Sequence, residues 1–400
     1  MKPTRYAALI IIFFAVMAVA RASWAAYPQT ITTTSPWVNL PRPSDDQRWA
    51  EAFSHWDKRA ETDEVIASIA IIEDIARDKP DCFECHLWLC RMNYLMAMRK
   101  LRQRDNYCEN SIESADRALE IKPGDDVARY WRLASLVLLR NLTEEEYKEV
   151  QALGLKYRHV RPLPVPDNDP LWAEALKKYD ARMDRGQALA AIEDFRKLDE
   201  KYSDRIEVKL FLCYSYYWLS EFETTRERKA ELNGIGAEWG RKAIQMEPRN
   251  PAANYAFAVT MGTYAENTSM LTIIRHSIEI SRAIIVVVEE EPTYMYGGFS
   301  RYIAASLAVA GELSFKVCAM LGFPEDLIIR ISVFSTKLEP ACLDNYLQLA
   351  LMYITLDRMD EAKQALETVI NGDPAILKYY EPENRIVQKE ARELYDKHFK

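Results

Sequence analysis

Apolar and small residues recur along the chain at the spacing of a helix face. After Ser111, small residues stand at Ala115 and Ala118, and Pro123 follows five positions later. Such spacing places these side chains on one side of a helix, and proline ends the helix because it cannot extend the hydrogen-bond ladder. Glycine is also scarce, with 12 residues in 400, whereas large all-β folds need it in their turns. The pattern predicts an all-α fold.

The C-terminal region carries the clearest repeat. Eight residues fall on positions 4, 7, 8, 11, 20, 24, 27 and 32 of a 34-residue unit: Tyr346, Leu349, Ala350, Tyr353, Ala362, Leu366, Val369 and Pro374. This is the tetratricopeptide pattern, in which small residues let two antiparallel helices cross closely and large residues fill the space around them. Because one helix pair cannot bury its apolar face alone, such pairs are predicted to stack into a superhelical array.

An internal duplication organises the rest of the chain. Residues 49–59 read W-A-E-A-F-x-x-W-D-x-R, and residues 172–182 read W-A-E-A-L-x-x-Y-D-x-R, at an offset of 123. Further matches follow in the same order at nearly the same offset. We therefore predict these units: residues 45–163 as a first helical-repeat unit, 164–325 as its duplicate, and 326–400 as a C-terminal tetratricopeptide repeat with a terminal helix. The alternative is an ordinary helical bundle with coincidental spacing.

The N-terminus has the features of an export signal. Lys2 and Arg5 precede an apolar run over residues 7–20, and small residues in A-x-A-like order follow. We predict a secretory signal over residues 1–26, an extended lead-in over 27–44, and a periplasmic protein. Because the run is shorter than the ~20 residues of a membrane-spanning helix, a cleaved signal is favoured. A retained membrane anchor is the alternative. The region has no cysteine and hence no lipobox.

Composition and motifs narrow the function. The net charge of −8 and the pI near 5.5 exclude a basic footprint for nucleic acid over the whole protein. The sequence has no H-E-x-x-H, no phosphate-binding glycine loop and no G-x-S-x-G, so we expect neither an enzyme nor a metal site. The acidic run Glu289-Glu290-Glu291 is interpreted as a solvated face or the start of a helix.

Several stretches together resemble the T-component family of TRAP transporters, which are periplasmic tetratricopeptide-like proteins. Residues 211–218 are similar to its aromatic-rich first helix, and residues 233–248 to its second helix, which closes on a proline. Residues 291–301 are similar to its P-x-Y-x-x-G-G-x-x-R turn, and residues 381–391 to its C-terminal end. The resemblance covers residues 45–398 with gaps.

The resemblance implies a helical scaffold, sometimes oligomeric around a hydrophobic channel, that works with a periplasmic solute-binding protein. It therefore implies a protein partner or a hydrophobic ligand, a possible homo-oligomer, and membrane contact only if the signal segment is retained. Some members of the family are lipoproteins, and this chain departs from them because it lacks the lipobox cysteine. The apolar stretch 271–288 either lines a pocket, faces a subunit or forms a buried helix.

A superhelical array offers a groove for partners, and aromatic side chains supply contact area there. The candidate binding residues are Tyr216, Tyr217, Trp218, Tyr294, Tyr296 and Arg301. The competing interpretation places most of the aromatics in the core between helices. Arg301 is expected to bind either a carboxylate or the C-terminus of a helix.

The string Cys82-Phe83-Glu84-Cys85-His86 suggests a different function. In an exported chain, C-x-x-C-H attaches a c-type haem through two thioethers, with the histidine as iron ligand. The alternative hypothesis is thus an electron-transfer protein that uses Cys82, Cys85 and His86. A zinc site formed by these residues with Cys90 is also conceivable, though compressed onto about two turns of a helix. The main hypothesis needs no cofactor.

The cysteines also suggest disulfide bonds, which an oxidising periplasm favours. A bond between Cys82 and Cys85 would close a short, strained loop. The sequence therefore favours pairing Cys90 with Cys108, or Cys85 with Cys108. Since the chain has seven cysteines, at least one remains unpaired.

Overall fold

The computed structural model describes residues 31–166, 169–320 and 322–400. Within these ranges the chain forms α-helices and two short 3₁₀ turns, with no strand. The predicted all-α fold of stacked tetratricopeptide-like helical hairpins is confirmed. The predicted secretory signal lies outside the described residues, as does the start of the lead-in.

The first unit consists of three helical hairpins. Its helices are α1 (Arg48–Trp56), α2 (Thr62–Asp78), α3 (Phe83–Arg99), α4 (Arg104–Ile121), α5 (Asp126–Leu139) and α6 (Glu144–Tyr157). Local sequence fixes several of their starts. Asp125 accepts two backbone N–H bonds at the start of α5, and Thr143 and Glu146 form a reciprocal capping box at the start of α6. Each helix packs on the next in the chain.

Six further helices repeat this order. They are α7 (Pro170–Asp180), α8 (Arg185–Lys201), α9 (Ile206–Glu221), α10 (Arg226–Met246), α11 (Pro251–Asn267) and α12 (Met270–Glu290). Each begins 122 to 126 residues after its counterpart in the first unit. We call residues 48–157 the first copy and residues 170–290 the second copy. The outer boundaries predicted for the units stay predictions.

The last third contains α13 (Tyr294–Ala310), α14 (Glu312–Met320), α15 (Glu325–Leu338), α16 (Leu343–Thr355), α17 (Met359–Asn371) and α18 (Glu381–Phe399). Helices α16 and α17 form the hairpin that the 34-residue pattern predicts. Ala350 and Ala362, the small residues of that pattern, are completely buried where the helices cross. Pro374 starts the short 3₁₀ turn Pro374–Ile376 after α17 has ended.

The last third also connects back to both copies. Helix α15 packs against α5 and α6 of the first copy. The crossing is so close that a methyl group on Gly154 would lie 1.5 Å from the carbonyl oxygen of Leu338. At the other end, Arg182 of the second copy pairs with Glu383 at the start of α18. These contacts join the three parts of the chain side by side as well as in sequence.

Helix α12 contains the apolar stretch 271–288 and changes its surroundings along its length. Leu271 near its start is 68% exposed, whereas Ile284 and Val287 near its end are fully buried. The buried end contacts α3 of the first copy, where the Tyr94 hydroxyl donates to the Val288 carbonyl. None of the helices within the described residues has both the length and the apolar character that crossing a membrane requires.

Candidate functional site

The lead-in segment lies between the two copies, and side chains from both bind its backbone. Trp88 donates to the carbonyl of Pro41 at 2.7 Å, and Asn250, from the second copy, donates to the carbonyl of Thr32 at 2.7 Å. Asn39 exchanges two hydrogen bonds with Ile31, so residues 31–39 turn back into a closed loop. The part of the predicted extended lead-in that the structure describes is thus a loop bound by helices.

Trp37 is the main apolar anchor of this loop. Its side chain is 6% exposed and stacks on the ring of Tyr130, with the ring centres 4.5 Å apart. The ring of Tyr157 meets Trp37 edge-on at 4.8 Å. Stacked and edge-on pairs of this kind add to the free energy that comes from burying the rings. The loop is therefore held by apolar packing as well as by hydrogen bonds.

A buried group of charges lies beside the loop at the end of α12. Glu290 pairs with Arg59, Arg91 and Arg249, and Arg249 also pairs with Glu289. Burial alone would raise the pKa of Glu290, but the nearby guanidinium groups outweigh it and hold that pKa well below its usual range. The interpretation of this acidic run as a solvated face or a helix start is wrong, because the run lies at the end of α12 and is buried.

Near its start α13 is interrupted by a turn with an unusual backbone. Met295, Tyr296 and Gly297 have φ angles of 52°, 59° and 96°, all in the left-handed region. For residues with a side chain this conformation costs about 1–2 kcal/mol each. Arg301 offsets the cost, since its guanidinium donates to the carbonyl of Met295 at 2.7 Å and to that of Tyr296 at 3.2 Å.

Arg301 is therefore a structural residue and does not present its charge to a partner. Its side chain is 4% exposed and forms an ion pair with Asp344 at 3.2 Å. Asn345 accepts a further hydrogen bond from it at 2.8 Å. The predicted carboxylate contact is present within the chain itself, and the prediction of Arg301 as a binding residue is corrected by its burial.

A cavity of about 90 Å³ opens where the loop, the end of α6, the turn and the end of α15 meet. Residues of the loop from Thr33 to Trp37 form one side. Tyr157 and Val160 form a second side, and Glu291 and Tyr294 belong to the third. Val160 is 39% exposed and stands at the rim. This cavity is the candidate functional site.

Glu291 is the residue of chemical interest in the cavity. It is 6% exposed, and its Oε2 atom has no hydrogen-bond partner among the described residues. Burial raises the pKa of its carboxyl to about 8, although a hydrogen bond from Ser35 and the charge of Arg91 both act to lower it. The sequence offered one signal for this residue, since an acid directly after a long apolar helix stretch shares the burial of that helix.

Two of the predicted binding aromatics reach the cavity. Tyr294 and Tyr296 both line it, and Tyr294 is 3% exposed. The hydroxyl of Tyr294 is buried and faces that of Tyr214, and burial raises its pKa. Tyr296 is half-buried and meets the ring of Tyr380 edge-on at 5.8 Å.

The other three aromatics lie away from the cavity, and two of them are buried in the protein interior. Tyr216 and Trp218 are 4% and 3% exposed, and the indole nitrogen of Trp218 donates to Glu383 at 3.2 Å. Tyr217 is half-buried and packs edge-on against Trp218. None of the three lines the cavity. The prediction of Tyr216 and Trp218 as partner contacts is corrected, because helical stacking buries both side chains. The prediction for Tyr217 stays a prediction.

The cysteines pair differently from the prediction. Cys82 and Cys85 form a disulfide bond in the first turn of α3, with their Cα atoms 5.3 Å apart. Cys90 and Cys108 are buried free thiols, so the predicted bonds from Cys108 to Cys90 or Cys85 are absent. The reason is the register of α3 and α4, which places the Ser111 hydroxyl 3.4 Å from the sulfur of Cys90.

This geometry does not fit a c-type haem. The two sulfur atoms that would form thioethers are bonded to each other, and Cys85 is fully buried among apolar side chains of α1–α3. The ring nitrogen Nε2 of His86 lies 2.9 Å from the carbonyl oxygen of Pro80. Nor do the described residues include any group of three His, Cys, Asp or Glu side chains placed to hold a metal ion, so the zinc alternative has no site there.

No protein-family model matches the chain, and no curated protein matches it in sequence. Several solved structures align with most of it, including the following three. Yeast Tom70 is 13% identical, with 95% of this chain and 70% of that one covered and a TM-score of 0.34. Human IFIT1, solved as a dimer with PPP-AAAA, is 12% identical, with 82% of this chain and 74% of that one covered and a TM-score of 0.30. The P58(IPK) TPR domain is 14% identical, with 88% of this chain and 99% of that one covered and a TM-score of 0.19. None of these three structures is described as a TRAP T-component.

Proposed function

We propose that this protein is a non-enzymatic helical-repeat scaffold that binds a non-helical segment of a protein partner next to its own lead-in loop. The observation that carries the proposal is the way the loop is held. Side chains of α3 and of the α10–α11 junction bind its backbone carbonyls, and Trp37 fills an aromatic slot. Helical-repeat arrays present extended concave surfaces to their partners, and aromatic residues are enriched where proteins bind each other.

A protein partner is favoured over a hydrophobic ligand by the cavities of the described residues. An apolar cavity lined by Phe299, Ile303, Phe323 and Ile328 holds about 20 Å³, roughly the space of one water molecule. That volume is too small for a hydrophobic ligand of any size. The cavity at Glu291 is larger and has polar groups, and it opens beside the loop.

The finer assignment rests on the sequence. We propose that the protein is exported to the periplasm and serves as the accessory T-component of a TRAP-type transporter, with a solute-binding protein as partner. The support is the signal-like N-terminus and the resemblance of residues 291–301 to the P-x-Y-x-x-G-G-x-x-R turn of that family. In this chain the turn forms one wall of the cavity.

Site-specific photo-crosslinking tests the proposal in the native envelope. A photoreactive phenylalanine analogue replaces Val160 at the cavity rim, and in a control variant it replaces Leu189 on α8. The two positions are equally exposed, at 39% and 37%, but only Val160 lines the cavity. We expect an adduct with a solute-binding protein from Val160 and none from Leu189.

The outcomes separate the coarse proposal from the finer one. An adduct at Val160 with a different periplasmic protein would support the scaffold and contradict the transporter assignment. Equal adducts from both positions, or none from Val160, would contradict a binding role for the cavity region. Fractionation of the same cells tests the export step, since a protein found only in the cytoplasm would exclude the periplasmic assignment.

A further inference from the structure

The cavity at the turn is lined by two acids, of which only one has a basic partner in the described part of the chain. Among its described lining residues the charged ones are Glu291 and Glu339, and no lysine or arginine lines it. Glu339 is neutralised by Arg158, whose guanidinium donates to both of its carboxylate oxygens at 2.9 and 2.7 Å. Glu291 has no comparable ion pair, so within this lining it is the acid that a cationic ligand can pair with.

The hydrogen bonding of Glu291 is also incomplete. Its Oε2 atom is buried and lacks a donor among the described residues, although a buried carboxylate oxygen normally accepts at least one hydrogen bond. An unsatisfied buried polar atom costs about 1–3 kcal/mol. The strained turn that follows Glu291 keeps the site in this state, because Arg301 holds the backbone of Met295 and Tyr296 in place.

Aromatic rings form much of the remaining wall. Trp37, Tyr157, Tyr294 and Tyr296 all line the cavity. The faces of such rings attract cations, and the attraction strengthens where water is excluded. A negative group among aromatic rings is the usual composition of sites for organic cations.

We propose that this cavity binds a small organic ammonium ion, whose N–H groups donate to the Glu291 carboxylate and whose carbon atoms lie against the aromatic rings. The volume of about 90 Å³ is the space of roughly six water molecules and accommodates a ligand of about four to six non-hydrogen atoms. The ammonium group is either that of a free amine or that of a lysine side chain on a protein partner.

Binding is coupled to ionisation of Glu291. The charged or titratable groups around its carboxyl are Arg91 of α3, Tyr130 of α5, Tyr294 of α13 and Glu339 of α15. Because burial raises the pKa of Glu291 to about 8, the empty site is mostly neutral at pH 7. An ammonium ion favours the carboxylate, so binding releases a proton and becomes tighter as the pH rises from 6 to 8.

Calorimetric titration of the full chain tests the proposal. The probes are propylammonium chloride, its neutral analogue propan-1-ol, and sodium propionate. We expect saturable binding of propylammonium alone, with a proton released into the buffer. The Glu291→Gln variant should bind about tenfold more weakly or worse, a loss of about 1.4 kcal/mol or more. Glu227→Gln, the same change at an exposed position on α10, should bind like the unmodified protein.

Several results would overturn the proposal. Absence of saturable propylammonium binding together with absence of binding by the lysine analogue N-acetyl-lysine-N-methylamide would do so. Tight binding of propionate would also do so, because it would show that the site prefers an anion. Unchanged affinity in Glu291→Gln would place any amine elsewhere on the protein. A thermal melt of each variant checks that it is folded.

The lysine analogue separates the two sources of the ammonium group. Tighter binding of propylammonium than of the lysine analogue assigns a free amine, and the reverse assigns a lysine side chain of the partner. The free-amine test needs no protein partner, so a negative crosslinking result at Val160 leaves it intact. Conversely, failure of both amines leaves the scaffold proposal to be decided by crosslinking.

Discussion

Arg59 in the first copy and Arg182 in the second copy close the same motif and have the same local surroundings. Both are buried, at 3% and 2% exposure. Each guanidinium lies over the aromatic ring three residues earlier, Trp56 or Tyr179, at 4.9 and 4.7 Å from the ring centre. Each also donates to the backbone carbonyl of that aromatic residue. The duplication has thus kept a local unit of ring, carbonyl and cation.

The acids that pair with these arginines come from different places. Arg59 pairs with Glu290 at the end of α12, and Arg182 pairs with Glu383 at the start of α18. The Glu290 side chain is 2% exposed and is shared with Arg91 and Arg249, whereas that of Glu383 is 21% exposed. The contact of the arginine with the aromatic residue three positions earlier is therefore common to both copies. The acid that pairs with the arginine differs, because a different helix packs against each copy.

Replacing Glu290 and Glu383 in turn should give the largest difference in stability between the two arginine sites. We expect Glu290→Gln to lower the free energy of unfolding by about 3–5 kcal/mol, because three buried guanidinium groups lose their shared counter-charge. Glu383→Gln should cost about 2 kcal/mol or less, since water reaches that carboxylate and Arg182 keeps its carbonyl contacts. Urea unfolding followed by circular dichroism measures both. Equal losses would mean that burial does not distinguish the two sites.

The local unit was predictable from the sequence, and its partners were not. The motif that ends in Arg59 and Arg182 repeats at a fixed offset, and the 34-residue pattern places small and large residues at fixed positions. The helical hairpins could therefore be predicted from local sequence. The environment of Glu290 depends on where the end of α12 comes to lie, and the state of Cys90 depends on which residue of α4 faces it. Both are long-range properties of the fold that spacing along the chain does not encode.

Glu291 sharpens the comparison, since it is the neighbour of Glu290 but has no arginine pair of its own. Its folded pKa of about 8 exceeds the ordinary value of 4.5, so the folded protein holds more protons between these pH values and its stability falls as the pH rises. Glu291→Gln should remove this loss. Relative to the unmodified protein, the variant should gain about 3 kcal/mol between pH 5 and pH 8. Urea unfolding at both pH values measures it, and a constant difference would contradict the raised pKa.

Replacing a glycine with alanine tests whether the helix contact in the second copy is closer than the matching contact in the first. Gly240 on α10 corresponds to Ala115 on α4, at the offset of 125 that also relates Pro248 to Pro123. A methyl group on Gly240 would lie 2.9 Å from the Cα atom of Phe257, so Gly240→Ala should cost about 2 kcal/mol through forced separation of α10 and α11.

Another helical glycine provides the control for this packing test. A methyl group on Gly262 of α11 meets nothing nearer than 3.9 Å. Gly262→Ala should therefore be neutral or stabilise the protein by up to about 1 kcal/mol, because alanine favours the helix. Both values come from thermal and urea unfolding. A neutral Gly240→Ala variant would mean that α10 and α11 separate at no cost, as two loosely packed helices would.

The disulfide is the smallest expected difference between the copies. Cys82 and Cys85 of the first copy correspond to Arg205 and Val208 of the second, where α9 begins without a cross-link or a side-chain cap. Because the cross-linked loop is short, its reduction should lower the free energy of unfolding by only about 1 kcal/mol. Urea unfolding with and without reductant measures this, and a Cys82→Ser, Cys85→Ala double variant should not respond to reductant. Loss of the whole fold on reduction would show that the first copy, unlike the second, depends on a covalent bond at the start of this helix.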